Sequence, residues 1–209
     1  SEHLAGAYYN LALTLSLEGD ASAALENVEL ASAIHRELMN GPSGGETQTE
    51  SLAKCYDLMA LIQENQSQLR EAITTYERLI DLPGGDSRST EGVRRLARAC
   101  LRLATLQATM GDFKAAETAA SNAIEVLQDA QSEGALSQEV GEYLGIALAA
   151  RAEIHDELGH HKEAVADWDS VLRDNPQPIY QLRRGVSMAR AGDHAGASEI
   201  LTEGNFIDE

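Results

Sequence analysis

Cysteine, aromatic side chains and positive charge are all scarce in this chain, and each shortage removes a class of protein. Only two cysteines occur in 209 residues. Cys55 and Cys100 have no paired spacing and sit among apolar neighbours in helical patterns, so they read as buried thiols of a reducing, cytoplasmic compartment. Basic residues number 16 against 34 acidic ones, a net charge of −18, which repels phosphate backbones and argues against nucleic acid as a partner. No run approaches the roughly 18 uninterrupted apolar residues of a membrane span. The chain opens Ser1-Glu2-His3 without the basic flank and apolar run of a secretory signal. It has no initiator Met and stops abruptly at Phe206-Ile207-Asp208-Glu209, which reads as a piece of a longer protein.

What the chain does contain is alanine, leucine and repetition. It is 43% apolar, enough for a core without metal or disulfide, and too apolar for a disordered acidic chain. Aromatic residues make up 4%, and with few β-branched residues the composition favours helix over sheet. Gly19-Asp20, Gly111-Asp112 and Gly192-Asp193 repeat one dipeptide between helical stretches, and Gly159-His160 takes the same place. With Ser67 aligned to these glycines there are five copies. In every copy a small residue precedes an alanine by twelve: Ala12 and Ala24, Ala60 and Ala72, Ala104 and Ala116, Ala152 and Ala164, Gly185 and Ala197. Two helices of a hairpin approach closely only where both present small side chains. The pattern predicts ten helices in five hairpins: 2–18 and 21–39, 48–65 and 69–81, 89–110 and 113–131, 137–158 and 161–173, 178–191 and 194–203.

The residues around the pairs resemble those of the tetratricopeptide repeat (TPR). Ala7-Tyr8-Tyr9-Asn10-Leu11-Ala12 is similar to the start of that repeat's first helix. Ala72-Ile73-Thr74-Thr75-Tyr76 and Ala164-Val165-Ala166-Asp167-Trp168 are similar to its second, and Asn175-Pro176 to its end. The turn positions at 19, 67, 111, 159 and 192 are separated by 48, 44, 48 and 33 residues, whereas the family's usual step is about 34. The extra residues fall in longer helices and in Gly/Pro/Ser-rich loops at 40–45, 83–87 and 132–134. This resembles the elongated repeats of the kinesin-light-chain and LGN type and of bacterial signalling arrays. The resemblance implies an all-α, right-handed superhelical solenoid of five antiparallel hairpins, forming one domain over 1–209. Its repeats would fall near 5–40, 48–82, 89–131, 137–176 and 178–204.

No catalytic or cofactor motif stands in the context its chemistry needs. There is no Gly-x-x-x-x-Gly-Lys-Ser/Thr and no Gly-x-Gly-x-x-Gly after a strand, and Gly41-Pro42-Ser43-Gly44-Gly45 has the spacing of Gly-x-Ser-x-Gly but follows a helical stretch instead of a strand. His155, His160 and His161, beside Asp156 and Glu157, form the one histidine cluster, but they straddle a helix end and a turn. Metal ligands must converge at about 2 Å from the ion, and that placement gives no reason to expect convergence. Neither a metal nor a cofactor is expected, and carboxylate clusters such as Glu153, Asp156 and Glu157 read as a solvated acidic face. Trp168 reads as a packing residue.

One pattern stands out against the acidic background. Arg94, Arg98 and Arg102 form a stripe at four-residue spacing, with Arg95 beside it. The repeat frame puts Arg98 and Arg102 at the second and sixth positions of a first helix, which in the family face a concave groove. Lys54 and Arg183 take equivalent places. The resemblance therefore implies a non-enzymatic interaction scaffold that holds a peptide or helical segment of a protein partner, one bearing acidic groups. The peptide-binding set is Tyr9, Asn10, Leu13, Lys54, Leu58, Arg98, Arg102 and Arg183, with Leu17 and Leu61 adding apolar surface. Carboxylate-clamp members of the family also need Lys and Asn where this chain has Tyr9, Leu13 and Leu58, so chaperone-tail binding is not expected. Two other readings stand beside this one: a regulatory region of a larger signalling enzyme such as a bacterial kinase, or a self-assembly module. The competing role for the arginines is plain neutralisation of neighbouring carboxylates. In solution the chain is expected to be a monomer or weak oligomer.

Overall fold

The computed structural model describes residues 1–41, 45–83, 89–132 and 138–203, excepting the side chains of 201–203. Among the described residues there are ten α-helices and no strand. They are α1 Glu2–Glu18, α2 Ala21–Met39, α3 Glu46–Asn65, α4 Leu69–Ile80, α5 Thr90–Thr109, α6 Phe113–Ser132, α7 Gln138–Leu158, α8 His161–Asp174, α9 Pro178–Arg190 and α10 His194–Glu203. Each boundary lies within two residues of the one expected from the repeat. The loop positions read at 42–44, 84–87 and 133–134 lie outside the described residues.

The five turns share one construction, which explains the recurring Gly-Asp. Gly19, Gly111, Gly159 and Gly192 all take left-handed backbone, with φ from 78° to 91°. At the first turn the Gly19 N–H donates to Ser16 C=O (3.2 Å) and the Asp20 N–H to Leu15 C=O (2.9 Å). This pair of bonds satisfies carbonyls that a helix end otherwise leaves open, and it demands left-handed backbone at the first of the two residues. The same two bonds close the turns at 67, 111, 159 and 192. The Asp of the dipeptide then starts the next helix: Asp20, Asp112 and Asp193 carboxylates accept the N–H groups of Ala23, Ala115 and Gly196 at 3.0–3.1 Å. One dipeptide thus ends one helix and begins another.

Ser67 is the exception that tests this account. It holds φ 59°, where a side chain is strained by about 1–2 kcal/mol. Ser67→Gly relieves that strain while loosening the unfolded chain somewhat. The variant is expected to gain about 1 kcal/mol in denaturant unfolding; unchanged or lower stability would contradict the reading of this turn.

The chain divides into two compact units, residues 1–103 and 104 onward, with the division inside α5. In the first, α1 packs on α2, α2 on α3 and α3 on α4, and α1 also touches α3. Ala12, Ala24, Ala60 and Ala72 have no exposed surface, so both hairpins close through small residues as their spacing requires. Leu52, Tyr56, Met59, Ile62, Tyr76 and Leu79 fill the core around them. Cys55 and Cys100 are free and 1% exposed, and burial pushes both thiols up to about 12. At neutral pH they are protonated packing groups.

In the second unit α6 packs on α7, α7 on α8, α8 on α9 and α9 on α10. Ala104, Ala116, Ala152 and Ala164 are at most 1% exposed. The fifth pair uses Gly185, where an added Cβ would lie 3.5 Å from Ile200 Cγ2. Trp168 is 1% exposed and stacks on Tyr180 at 5.9 Å, so it is a packing residue as its motif position implied. Among the described residues no helix is long and apolar enough to cross a membrane.

Candidate functional site

A cavity of about 290 Å³ in the first unit is lined by Tyr9, Leu13, Asp57, Leu58, Leu61, Tyr76, Arg98 and Arg102. It draws on α1, α3, α4 and α5. Tyr9 and Leu13 are one helical turn apart on α1, as are Leu58 and Leu61 on α3, so each pair presents one face. Leu58 is 7% exposed, while Leu13 and Leu61 stay 36% and 43% exposed, an apolar wall open to solvent. Arg98 and Arg102 stand one turn apart on α5 and form the basic part of the lining.

Each arginine already has a carboxylate nearby. Arg98 Nη2 donates to Asp57, and Arg102 Nη1 lies 3.6 Å from Glu64. Glu64 also accepts the Tyr76 hydroxyl at 2.5 Å. Neutralisation of acidic neighbours is therefore part of what these arginines do. It does not exhaust them, because their side chains remain 43% and 51% exposed and a guanidinium carries five donors. Burial raises the Asp57 carboxyl above its ordinary value, with the Arg98 and Arg95 charges opposing that rise. Burial likewise raises the Tyr9 phenol, and the Tyr76 phenol is raised by burial and by its bond to Glu64. Both tyrosines are neutral donors at physiological pH.

Of the residues singled out from the sequence, Tyr9, Leu13, Leu58, Arg98 and Arg102 meet here, with Leu61. Lys54 is half exposed, pairs with Glu50 at 2.6 Å and does not line the cavity. Asn10 is exposed, its carbonyl accepting the Thr14 hydroxyl, and Leu17 is 89% exposed; neither lines the cavity. Arg95, read as lying beside the stripe, is instead 6% exposed, because its position falls on the inward face of α5. Asp57, Glu64 and Tyr76 were not foreseen as site residues. Tyr76 carried a signal as the aromatic of the second-helix motif; the two acids carried none in a chain so rich in carboxylates.

Arg183 belongs to the second unit, where it lines a separate cavity of about 540 Å³ with Phe113, Ile154, Trp168, Leu182 and Val186 among others. It pairs with Glu153 at 3.2 Å, both side chains being 54% exposed. Asp156 departs from the solvated acidic face expected of it. It is 11% exposed, receives the Ser187 hydroxyl at 2.6 Å and lies 2.9 Å from His161 Nδ1.

A buried polar network lies in the same unit. Arg151 grips Asp167 with two parallel bonds, Nε to Oδ2 at 2.9 Å and Nη2 to Oδ1 at 2.7 Å. His155 Nδ1 is 3.3 Å from Asp167 Oδ2 and its Nε2 is 3.0 Å from Glu117 Oε1. Asp167 and His155 are 5% and 8% exposed. Burial alone would raise the Asp167 carboxyl, but the Arg151 bonds and the His155 ring 3.3 Å away together hold it below its ordinary value. The Asp167 carboxylate 3.3 Å away raises His155, outweighing burial, with help from Glu117. His155, His160 and His161 straddle a helix end and a turn, a placement from which no convergence was expected. Two of the three do converge, on Glu117 of a different helix.

Comparisons with known proteins agree with the repeat reading. The family described as anaphase-promoting complex subunit 5 matches residues 46–140 and 135–173. Among curated proteins, none matches the chain. Among solved structures, MamA is similar over 98% of this chain and 91% of its own, with TM-score 0.69 and 13% identity. YrrB, described as a TPR protein with an unusual peptide-binding site, is similar over 94% of this chain and 82% of its own, with TM-score 0.64 and 17% identity. A putative kinesin light chain from Podosopora anserina with nearly identical TPR-like repeats is similar over 97% and 93%, with TM-score 0.64 and 15% identity. These likenesses show the fold: a TPR-type array of helix hairpins.

Proposed function

Because the chain belongs to the anaphase-promoting complex subunit 5 family, we propose that it is a non-catalytic scaffold that holds a segment of another subunit of a multiprotein assembly. The reading rests on the cavity in the first unit, where an open leucine wall meets two half-exposed arginines. An extended peptide or a helix suits it if apolar side chains cover Leu13 and Leu61 while an acidic group reaches Arg98 and Arg102. Covering a leucine fully contributes about 1.5–3 kcal/mol. A guanidinium adds direction, since its planar fork matches a carboxylate. The peptide-binding site described for YrrB fits this reading of a TPR-type fold, in which function lies in surface detail rather than in the fold itself. No catalytic role is assigned to any residue.

Photo-cross-linking tests the location. A photoreactive residue at Leu61 is expected to join the protein covalently to a neighbouring subunit in the purified assembly. The same residue at Leu30, an equally exposed leucine of α2 (48%) that does not line the cavity, is expected to give little product. Cross-links from Leu30 in place of Leu61 would move the partner off this cavity.

A further inference from the structure

The second unit brings together three potential metal ligands that come from three separate places in the chain. Glu117 lies in the second turn of α6, His155 in the last turn of α7, and His160 in the turn before α8. Their ligand atoms all lie within 4.8 Å of one another. Glu117 Oε1 is 3.0 Å from His155 Nε2 and 3.7 Å from His160 Nδ1. A tetrahedral zinc-type ion, with bonds near 2.0–2.1 Å, holds its ligand atoms about 3.4 Å apart, so these distances bracket the spacing required. The two imidazole rings are tilted by 56°, with centroids 6.0 Å apart; they do not stack.

Two further observations separate this group from an ordinary surface cluster. His155 is 8% exposed, and its other ring nitrogen lies 3.3 Å from Asp167 Oδ2, a carboxylate that Arg151 holds in place. A carboxylate behind the far nitrogen is the arrangement that fixes the ring and the tautomer of a metal-binding histidine. His160 is the N-cap residue of α8, yet its side chain makes no capping hydrogen bond, so its ring is not committed to the helix start. It is half exposed, which leaves a coordination position open to solvent.

We propose that Glu117, His155 and His160 form a binding site for one divalent transition-metal ion of the zinc type, with Asp167 orienting His155. The donor set, two imidazoles and one carboxylate, suits zinc or cobalt and is poorly matched to calcium or magnesium, which prefer oxygen alone. The bound ion would tie α6, α7 and the turn into α8 to a single point.

Cobalt(II) titration of the whole, chelator-stripped protein tests this by visible absorption, because tetrahedral cobalt absorbs far more strongly than the octahedral ion. One equivalent is expected to give the tetrahedral spectrum, and zinc is expected to displace it. His160→Ala and Glu117→Gln, both at solvent-accessible positions, should keep the helical signal and each weaken cobalt binding by about tenfold or more. His194→Ala, at an exposed histidine elsewhere, should bind as the wild type does. A spectrum that stays octahedral would mean only adventitious binding by an acidic chain and would overturn the proposal. So would an undiminished tetrahedral signal in His160→Ala.

Discussion

Asp167→Ala is expected to lower the stability of the second unit by about 3–5 kcal/mol, the cost of removing one partner from a buried ion pair. The size follows from burial. Asp167 is 5% exposed and accepts both bonds of the Arg151 fork, with His155 held 3.3 Å away. Removing the carboxylate strands a guanidinium and an imidazole where water reaches them poorly. For a unit of this size the melting temperature should fall by roughly 10 °C or more. The comparison is Glu153→Ala, which breaks the Arg183–Glu153 pair; both of its members are 54% exposed, and such pairs contribute only about 0–1 kcal/mol. Similar losses in the two variants would show that burial does not set the strength of the Arg151–Asp167 contact.

The same network predicts a pH window, measured in chelator-treated protein. His155 is raised from its ordinary 6.5, so its contribution is complete below that value and is lost as pH rises through the raised folded value. Asp167 is lowered from its ordinary 3.8, so its contribution is complete above that value and is lost as pH falls through the depressed one. Both contributions are present between 3.8 and 6.5, with Glu117, His160 and Arg151 the other charged or titratable groups facing them. The stability difference between wild type and His155→Gln should therefore shrink as pH rises above that window. A difference that grows with pH would reverse the sign assigned to His155.

The fold was largely legible because its punctuation is local. A left-handed glycine, an N-capping aspartate and a pair of small residues twelve apart are each set within one hairpin, so they leave a mark in the sequence. The turn at Ser67 was legible through its phase alone. The lining of the first unit's cavity was legible only in part. Tyr9, Leu13, Leu58, Arg98 and Arg102 could be grouped because a repeat frame assigns equivalent positions to one face. Asp57 and Glu64 could not, since which carboxylate pairs with which arginine depends on contacts between helices. Glu117, 38 residues from His155, illustrates the same limit. Nothing local connects an acid in α6 to a histidine at the end of α7. Arg95 shows the converse: it stands next to Arg94 in the chain, but the helical turn of about 100° per residue carries it inward.

The central claim, that the cavity of the first unit grips an acidic segment of a partner, is tested most directly by reversing its two arginines. Each well-made contact to a charged group contributes about 1.5–3 kcal/mol. Losing both is thus expected to weaken the complex by about 100-fold or more, with added repulsion from the new carboxylates. The fold should survive, because both arginine side chains are about half exposed and substitutions at such positions change stability little. Arg98→Gln/Arg102→Gln removes the donors' charge without adding repulsion and should lie between wild type and the Glu variant. Arg70→Glu/Arg78→Glu, on the exposed face of α4, makes the same change in net charge away from the cavity. The measurement is the dissociation constant of the purified protein for the polypeptide that cross-links at Leu61, with circular dichroism to confirm the fold. Loss in the Arg98/Arg102 variant with binding kept in Arg70/Arg78 is the predicted result; equal affinity in the two would contradict the account.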